Sequence, residues 1–576
     1  MISPDSPLSR QKRRPLPDWL LPLALCCLAS ILILIPLFLF GIASGHDVEF
    51  HIASWLDVAS QWKQGILYPR WTQWTNHGFG EPRFIFYPPL SWMLGAALTV
   101  VLPGTAVPMV YIVLTQTFAG LSAYLLLRRL ATRRAAIFGA LFYCVNPDAL
   151  LMVYIRSDFA EQLACAFFPL LLLSALYVCE LLPSPRNQSL NIAAFALLYT
   201  SAWLSNAPAG VIASYAMALL IVWAAFTQRA WRVLFRGGAA LALGLGLAAF
   251  YIVPAAYEQR WVNISQALSS GLAPAQNFLF TVIDDPEHTW FNWIASICAL
   301  GLILVFLLAA LFSRRLRDTK NTSNGTRAVF VALFAVGVVA TILMLRFTLP
   351  LWDHVPKLRF IQFPWRCMSV VALIAACFLA ALAERRGGWL AVAAILALSI
   401  PLGWFLVGNT WWDQDEMSTM RDSINAGTGF DGTDEYDPAG DDHMELPANA
   451  PLVKVLAFDP ADKSTPKAHV QIQKWTSEQK IVEVVSPSAA RIALRLLNYP
   501  AWEVRVNEEV VQPDRAEDVN QMIVPVAPGR SDIQVRFRRT VDRTIGNGIS
   551  LSAALVALFL FGAARKRAPD AALSRE

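Results

Sequence analysis

The sequence is poor in charge. Only 15% of its 576 residues are Asp, Glu, Lys or Arg, against roughly 25% in an average soluble protein. A disordered chain and a string of ordinary soluble domains are both excluded. Histidine is scarce and scattered, seven in all. The eight cysteines (Cys26, Cys27, Cys144, Cys165, Cys179, Cys298, Cys367, Cys377) lie in or beside apolar runs and include no Cys-x-x-Cys pair. That spacing offers neither a disulfide framework nor a zinc site. Positive charge is thinly spread as well. The 47 Lys/Arg against 42 Asp/Glu leave +5, in small clusters rather than a continuous stripe, so no nucleic-acid partner is expected.

Apolar residues, by contrast, make up 56% of the chain, with 20 Trp and 33 Phe. A soluble protein cannot bury that much surface, so the bilayer is the natural solvent. Twelve runs are long enough to span it: 18–43, 106–127, 135–154, 160–182, 189–205, 207–227, 237–256, 291–313, 328–347, 367–383, 388–408 and 546–563. A thirteenth, 88–103, is bracketed by prolines. It covers only about 24 Å of a roughly 30 Å hydrocarbon layer.

The cationic clusters choose an orientation. Arg10, Lys12, Arg13 and Arg14 precede the first run and hold the N-terminus in the cytoplasm. If 88–103 does not cross, the later clusters are cytoplasmic too: Arg128/Arg129/Arg133/Arg134, Arg229/Arg232/Arg236, Arg314/Arg315/Arg317, Arg385/Arg386 and Arg565/Lys566/Arg567. If it crosses, all of them move outside, against the positive-inside tendency. The segment therefore reads as a re-entrant or juxtamembrane helix, with both termini cytoplasmic. The first run is about twice as long as a signal-peptide core and is expected to stay as an anchor.

The expected organisation is a basic cytoplasmic N-terminus (1–17), a transmembrane domain (18–408) with an outer loop at 45–105, and an extracytoplasmic domain at 409–545. A last helix (546–563) and a cytoplasmic tail (564–576) follow. Polar segments at 45–87, 155–159, 257–290, 348–366 and 409–545 all fall on the outer face. Within 409–545, the stretch 413–445 carries eleven Asp/Glu and one Arg, the composition of a solvated acidic loop. Its Phe430-to-Asp442 portion suggests calcium but lacks the spacing of an EF-hand. From 453 to 541 the apolar period becomes two, in six or so short runs, as in an antiparallel β-sandwich. Such a module suits glycan binding or a cover over the membrane site.

Three clusters of polar residues need explaining. At the end of the first run stand His46, Asp47, Glu49 and His51. In a helix, Asp47 and His51 share a face and Glu49 points elsewhere. Such groups can supply a base or hold a divalent ion, or Asp47 can simply cap an interfacial helix running to about Lys63. The second cluster is Arg156, Asp158 and Glu161 between two spans, where charge is costly unless it faces protein or water. A functional site and a bracing ion pair both fit. The third is Asp353, His354, Lys357, Arg359 and Arg366 beside Phe363 and Trp365. These cations suit a lipid-linked phosphate, or they snorkel. Aromatics in the first outer loop, including Tyr68, Trp71 and Tyr87, suit an interfacial belt or, with Trp365, stacking against sugar rings.

In their order, these segments resemble the GT-C superfamily of membrane glycosyltransferases. The likeness rests on Asp47 after the first span, Tyr87-Pro88-Pro89-Leu90, a span ending in Arg128-Arg129, and Arg156 to Glu161. More narrowly, the chain is similar to the bacterial YfhO-like branch and to membrane proteins labelled "6-pyruvoyl-tetrahydropterin synthase-related". Leu67-Tyr68-Pro69-Arg70-Trp71, Phe363-Pro364-Trp365-Arg366, Gly432-Thr433-Asp434-Glu435-Tyr436 and Asn498-Tyr499-Pro500-Ala501-Trp502 carry that likeness. The pterin label implies no pterin chemistry here, because a zinc pterin enzyme needs clustered histidines in a compact soluble fold. No nucleotide or pterin cofactor is expected.

The resemblance implies a GT-C-like α-helical fold in the bacterial inner membrane, with an outward-facing site. It implies a polyprenyl-phosphate-linked sugar as donor and an envelope polysaccharide or glycolipid as acceptor. Asp47 matches the catalytic acid, and Asp158 or Glu161 the second-loop acid, which in some relatives helps to hold a metal. Arg156 and Arg366 match phosphate ligands. The alternatives are a transporter or flippase of lipid-linked glycans, or a non-enzymatic envelope-assembly protein.

Overall fold

A computed structural model describes residues 17–313, 324–440, 446–459, 461, 467–516 and 519–566. The basic cluster Arg10–Arg14, the cluster Arg314–Arg317, the acidic residues 441–445 and the tail beyond 566 lie outside the described residues, as does the side chain of Arg565.

Among the described residues, ten helices are long and apolar enough to cross a membrane, and an eleventh span forms if Trp231–Leu247 and Ala249–Trp261, bent by 72° at Ala248, count as one. This is a multi-pass helical membrane protein. The expected run at 189–205 is the helix Gln188–Ser205. It is not among the ten, because Gln188, Asn191, Thr200 and Ser201 dilute its apolar character. It nevertheless carries the chain from the end of Phe159–Val178 to Asn206, which caps the start of Ala207–Gln228. The 88–103 segment is the helix Pro89–Val101, thirteen residues long, about 20 Å at 1.5 Å per residue and too short to span. Pro at its first turn sets the start without wasting an N–H. Gly95 lets it cross the Val48–Lys63 helix tightly, since any Cβ there would lie 2.2 Å from the Trp55 ring.

The period-two runs form nine strands: β1 (Val453–Ala457), β2 (His469–Trp475), β3 (Gln479–Ser486), β4 (Ala490–Leu497), β5 (Trp502–Val506), β6 (Glu509–Val511), β7 (Asp514–Arg515), β8 (Gln521–Val526) and β9 (Gly529–Phe537). They make two antiparallel sheets, ordered β1-β4-β8-β7 and β2-β3-β9-β5-β6. Alternate residues such as Val482 and Val484 on β3 and Ile533 and Val535 on β9 are buried, which is the sandwich pattern. Its core does not stop at the strands. Trp71, Phe79, Ile85 and Phe86 of the first outer loop belong to the same buried cluster as Leu494, Tyr499 and Trp502.

The last helix is tied to this module at its first turn. Arg543 donates through Nε and Nη2 to the two carboxylate oxygens of Glu258, each at 2.7 Å, and the Tyr499 hydroxyl donates to the same carboxylate at 2.6 Å. Such a fork-to-fork pair is both strong and orienting.

Candidate functional site

The five polar segments assigned above to one face meet at a single cavity of about 830 Å³. The first outer loop gives Asp47 and Tyr87, and the turn between spans gives Arg156 and Asp158. Gln259 and His288 come from 257–290, Lys357 and Arg366 from 348–366, and Glu416 and Glu435 from the acidic stretch. For Tyr87 and Arg156 to share a cavity, an even number of crossings must separate them. The intervening spans Ala106–Leu127 and Arg133–Arg156 are two, so Pro89–Val101 does not cross.

Asp47 immediately precedes the helix Val48–Lys63, in the capping position, but its carboxylate caps nothing. It pairs instead with Nη2 of Arg156. The backbone explains why. The chain leaves the preceding span through a wide π-type turn, Met152–Arg156, then turns sharply at Ser157 with a left-handed φ of 50°. This turn is laced to the start of the outer loop. Asp47 N–H donates to the Arg156 carbonyl at 3.0 Å, and Ser157 Oγ donates to the Ala43 carbonyl at 2.7 Å. Gly45 permits the approach, because a Cβ there would sit 2.6 Å from the Arg156 carbonyl carbon.

Beneath Asp47 lies a buried charge network. Asp158 caps the next helix by accepting from the Glu161 N–H at 2.9 Å. Its carboxylate also lies 3.3 Å from Arg156 Nη2, 3.4 Å from Arg366 Nη2 and 3.7 Å from His51 Nε2. Arg366 Nε reaches Glu161 at 2.9 Å. Phe363 lies against both guanidinium groups, at 5.1 Å and 5.0 Å from its ring centre, within cation–π range. The ion pairs of the Arg156 cluster fit the bracing reading. Asp158 and Glu161 are buried braces, whereas Asp47 is 34% exposed to the cavity. Arg156 Nε and Nη1 are buried and have no hydrogen-bond partner among the described residues.

Several expected roles move. Trp71 and Trp365 are fully buried. Trp71 packs against Tyr499, Trp502 and Phe537, and Trp365 against Phe291 and Phe363. Tyr68 packs on Trp92 and Phe250. None of the three lines the cavity, and of the four aromatics singled out above only Tyr87 does. Arg359 is exposed beside Phe360 and does not line the cavity. His46 and Glu49 both line the cavity, His46 with its ring at the edge of Phe291, whereas His51 turns to Asp158. Among the described residues no three His, Cys, Asp or Glu side chains come together as a metal site. The carboxylates of Asp47, Asp158 and Glu161 are occupied by guanidinium groups, a donor set that does not fit a divalent ion.

Where it is described, the acidic stretch keeps Asp415, Asp422, Asp431 and Asp434 exposed but is not a plain loop, since Glu416–Ala426 is a helix. Residues 429–436 form a cap over the cavity. Thr433 N–H donates to Glu81 at 2.9 Å, and Arg83 bridges Glu81 at 2.6 Å and the Thr433 hydroxyl at 2.8 Å. Glu81 and Arg83 are wholly buried, and neither was singled out above. A Glu-Pro-Arg triplet in an aromatic-rich loop carries no signal of such a pairing. Asp57 was missed too. It is buried, and it fixes the loop by accepting from Gln73 N–H at 2.7 Å and Trp74 N–H at 3.1 Å.

Burial, with the nearby Glu81 carboxylate, pushes Glu435 up to about 7. A carboxyl whose folded value is raised costs nothing while protonated in both states. Stability is therefore full below its ordinary value of 4.5 and declines as pH climbs through about 7. Glu435→Gln is accordingly expected to raise the melting temperature at about pH 8 and leave it unchanged near pH 4.5. Thermal scans at both pH values check this, and equal shifts at both would refute the assignment.

A model of the family described as "6-pyruvoyl-tetrahydropterin synthase related domain; membrane protein" matches residues 84–414, more than half of the chain. The protein belongs to that membrane family. The match begins just after Arg83, ends before the cap at 429–436, and takes in the cavity-lining segments at 155–159, 257–290 and 348–366 but not Asp47. No curated protein matches the sequence. Among solved structures the chain is similar to the apo oligosaccharyltransferase of Archaeoglobus fulgidus, at 15% identity over 69% of this chain and 56% of that one, TM-score 0.36. It is similar to the mycobacterial arabinofuranosyltransferase AftD, at 15% over 70% and 29%, TM-score 0.39. ArnT of Cupriavidus metallidurans bound to undecaprenyl phosphate aligns at 12% over 62% and 77%, TM-score 0.31. The chain thus spans little more than half of the oligosaccharyltransferase and under a third of AftD.

Proposed function

We propose that the protein is a GT-C-type glycosyltransferase. In this reading it moves a sugar from a polyprenyl-phosphate donor to an envelope polysaccharide or glycolipid, on the outer face of the bacterial inner membrane. The observation that carries this reading is the pairing, in one cavity, of a partly exposed Asp47 with a buried Arg156 whose Nε and Nη1 lack hydrogen-bond partners among the described residues. Buried donors of that kind call for an acceptor, and a phosphate oxygen supplies one.

In the reaction, the acceptor hydroxyl attacks the anomeric carbon and Asp47 takes its proton. The bond from that carbon to the phosphate oxygen breaks, and the electron pair leaves with the lipid phosphate. Arg156, Arg366 and Lys357 face the developing charge, fixed cations in a partly dry site. Tyr87, beside Asp47 on the cavity wall, offers the ring face for the sugar. A base at the mouth and cations beneath it suit a donor whose tail stays in lipid.

The test is purified protein in proteoliposomes with a labelled polyprenyl-phosphate sugar and an envelope acceptor extract. Labelled product supports transfer, whereas movement of the donor between leaflets without product would favour a flippase. Because guanidinium groups occupy the carboxylates, transfer is expected to survive dialysis against EDTA. Loss on chelation with recovery on adding magnesium or manganese would restore the metal-dependent alternative.

A further inference from the structure

One side chain of the β-sandwich reaches both the first outer loop and the end of a helix beside the cavity. Arg495 on β4 is buried, and its guanidinium donates to backbone carbonyls. Its Nε donates to the His77 carbonyl at 2.7 Å and Nη1 to the Gly427 carbonyl at 2.8 Å; Nη2 reaches Thr428 and Ala448 carbonyls at 3.2 Å each, and His77 again. Gly427 ends the helix Glu416–Ala426 in a left-handed turn, φ 73°. Its free carbonyls form the negative pole of that helix, a favourable place for a cation. One guanidinium therefore holds the first outer loop, the end of this helix and the sandwich together.

The cap follows directly. Phe430 N–H donates to the Trp74 carbonyl and His77 N–H to the Phe430 carbonyl, each at 3.0 Å. Asn76 Nδ2 donates to Asp437 at 2.7 Å. At Gly432 the fit is closest, since a Cβ would fall 1.6 Å from Asn76 Oδ1. Tyr436, at the end of the cap, is buried in the sandwich's own core cluster and stacks on Phe86 at 5.7 Å.

We infer that the sandwich is a clamp: Arg495 is a positioning residue that locks cap residues 429–436 onto the first outer loop, so that the cavity keeps the wall carrying Glu435. The inference rests on the glycosyl-transfer reading only for its kinetic consequence. A guanidinium spread over four carbonyls cannot be replaced by an ammonium without leaving acceptors unpaired.

The full-length protein in detergent provides the test, by hydrogen exchange of peptides spanning 427–437. Arg495→Met is expected to speed exchange there by about tenfold or more, a local opening, with Arg495→Lys intermediate. In the transfer assay Arg495→Met raises KM several-fold while kcat stays within about twofold. If Arg495→Met does not accumulate, Arg495→Gln carries the same test, and Gly432→Ala, whose added methyl meets Asn76 rather than Arg495, serves as the positive control for a loosened cap. Unchanged exchange at 427–437 in the folded variants, or a fall in kcat with KM unaltered, overturns the clamp. If the cap loosens in a protein that transfers no sugar, the clamp stands and the glycosyltransferase reading fails. If transfer depends on Asp47 while the cap stays protected, the reverse holds.

Discussion

Asp47→Asn is expected to abolish sugar transfer while the protein accumulates and melts like wild type. The substitution keeps size and shape and removes the proton acceptor. Loss of a positioned base costs on the order of 10²–10⁴-fold. The fold is spared because Asp47 is one-third exposed and because Arg156 retains Asp158 at 3.3 Å. The amide oxygen of Asn can still accept from the guanidinium. Initial rates with labelled donor, alongside a melting curve, give the answer. Wild-type rates in the variant would end the assignment of Asp47 as base.

Asp158→Ala is expected to do the opposite, with its largest effect on folding. Asp158 is buried between Arg156, Arg366 and His51 and also caps the helix Phe159–Val178. Removing one partner of a buried ion pair costs about 3–5 kcal/mol, because the surviving charge is left in a poor solvent. Losing the cap adds about 1 kcal/mol. Asp158→Asn keeps the cap and should fall between alanine and wild type. Melting temperature and membrane yield are the readouts. A melting point for the alanine variant within about 2 °C of wild type would show that the network does not brace the bundle. The two carboxylates lie on either side of one guanidinium, yet their variants should separate activity from stability.

The overall architecture was legible because it follows from one-dimensional signals. Long apolar runs specify spanning helices whatever their neighbours, since lipid leaves the backbone no other partner. The alternation in AHVQIQKW, KIVEVVS and RIALRLL specified strands because a pleated, half-buried face reads every second residue. The 88–103 segment was legible from length alone, since thirteen helical residues do not cross a bilayer. The run at 189–205 was expected to span and is a helix, although its polar residues lower its mean hydropathy.

The candidate site divides along the same line. Asp47, Arg156, Asp158, Glu161 and Arg366 could be picked out one at a time, because a charge at the end of an apolar run needs a reason to be there. Glu81, Arg83, Asp57 and Arg495 could not. Their partners lie across the chain: Thr433, Gln73 and Trp74, and the carbonyls of His77, Gly427, Thr428 and Ala448. Nothing local marks such pairings. The aromatics misled for a related reason. Trp71 and Trp365 have the chemistry to stack on sugar, and burial alone decides whether a ring faces a ligand or a core.

By itself, then, the sequence determined a multi-pass helical chain, a β-sandwich before the last helix and a set of charges at the ends of apolar runs, because hydropathy and periodicity act over short stretches of chain. Only the tertiary structure decided that all five polar segments share one cavity, that the acidic stretch is its cap and that the sandwich holds the cap in place. Those outcomes depend on carbonyls, carboxylates and guanidinium groups hundreds of residues apart, whose pairing is set by where the packed helices deliver them.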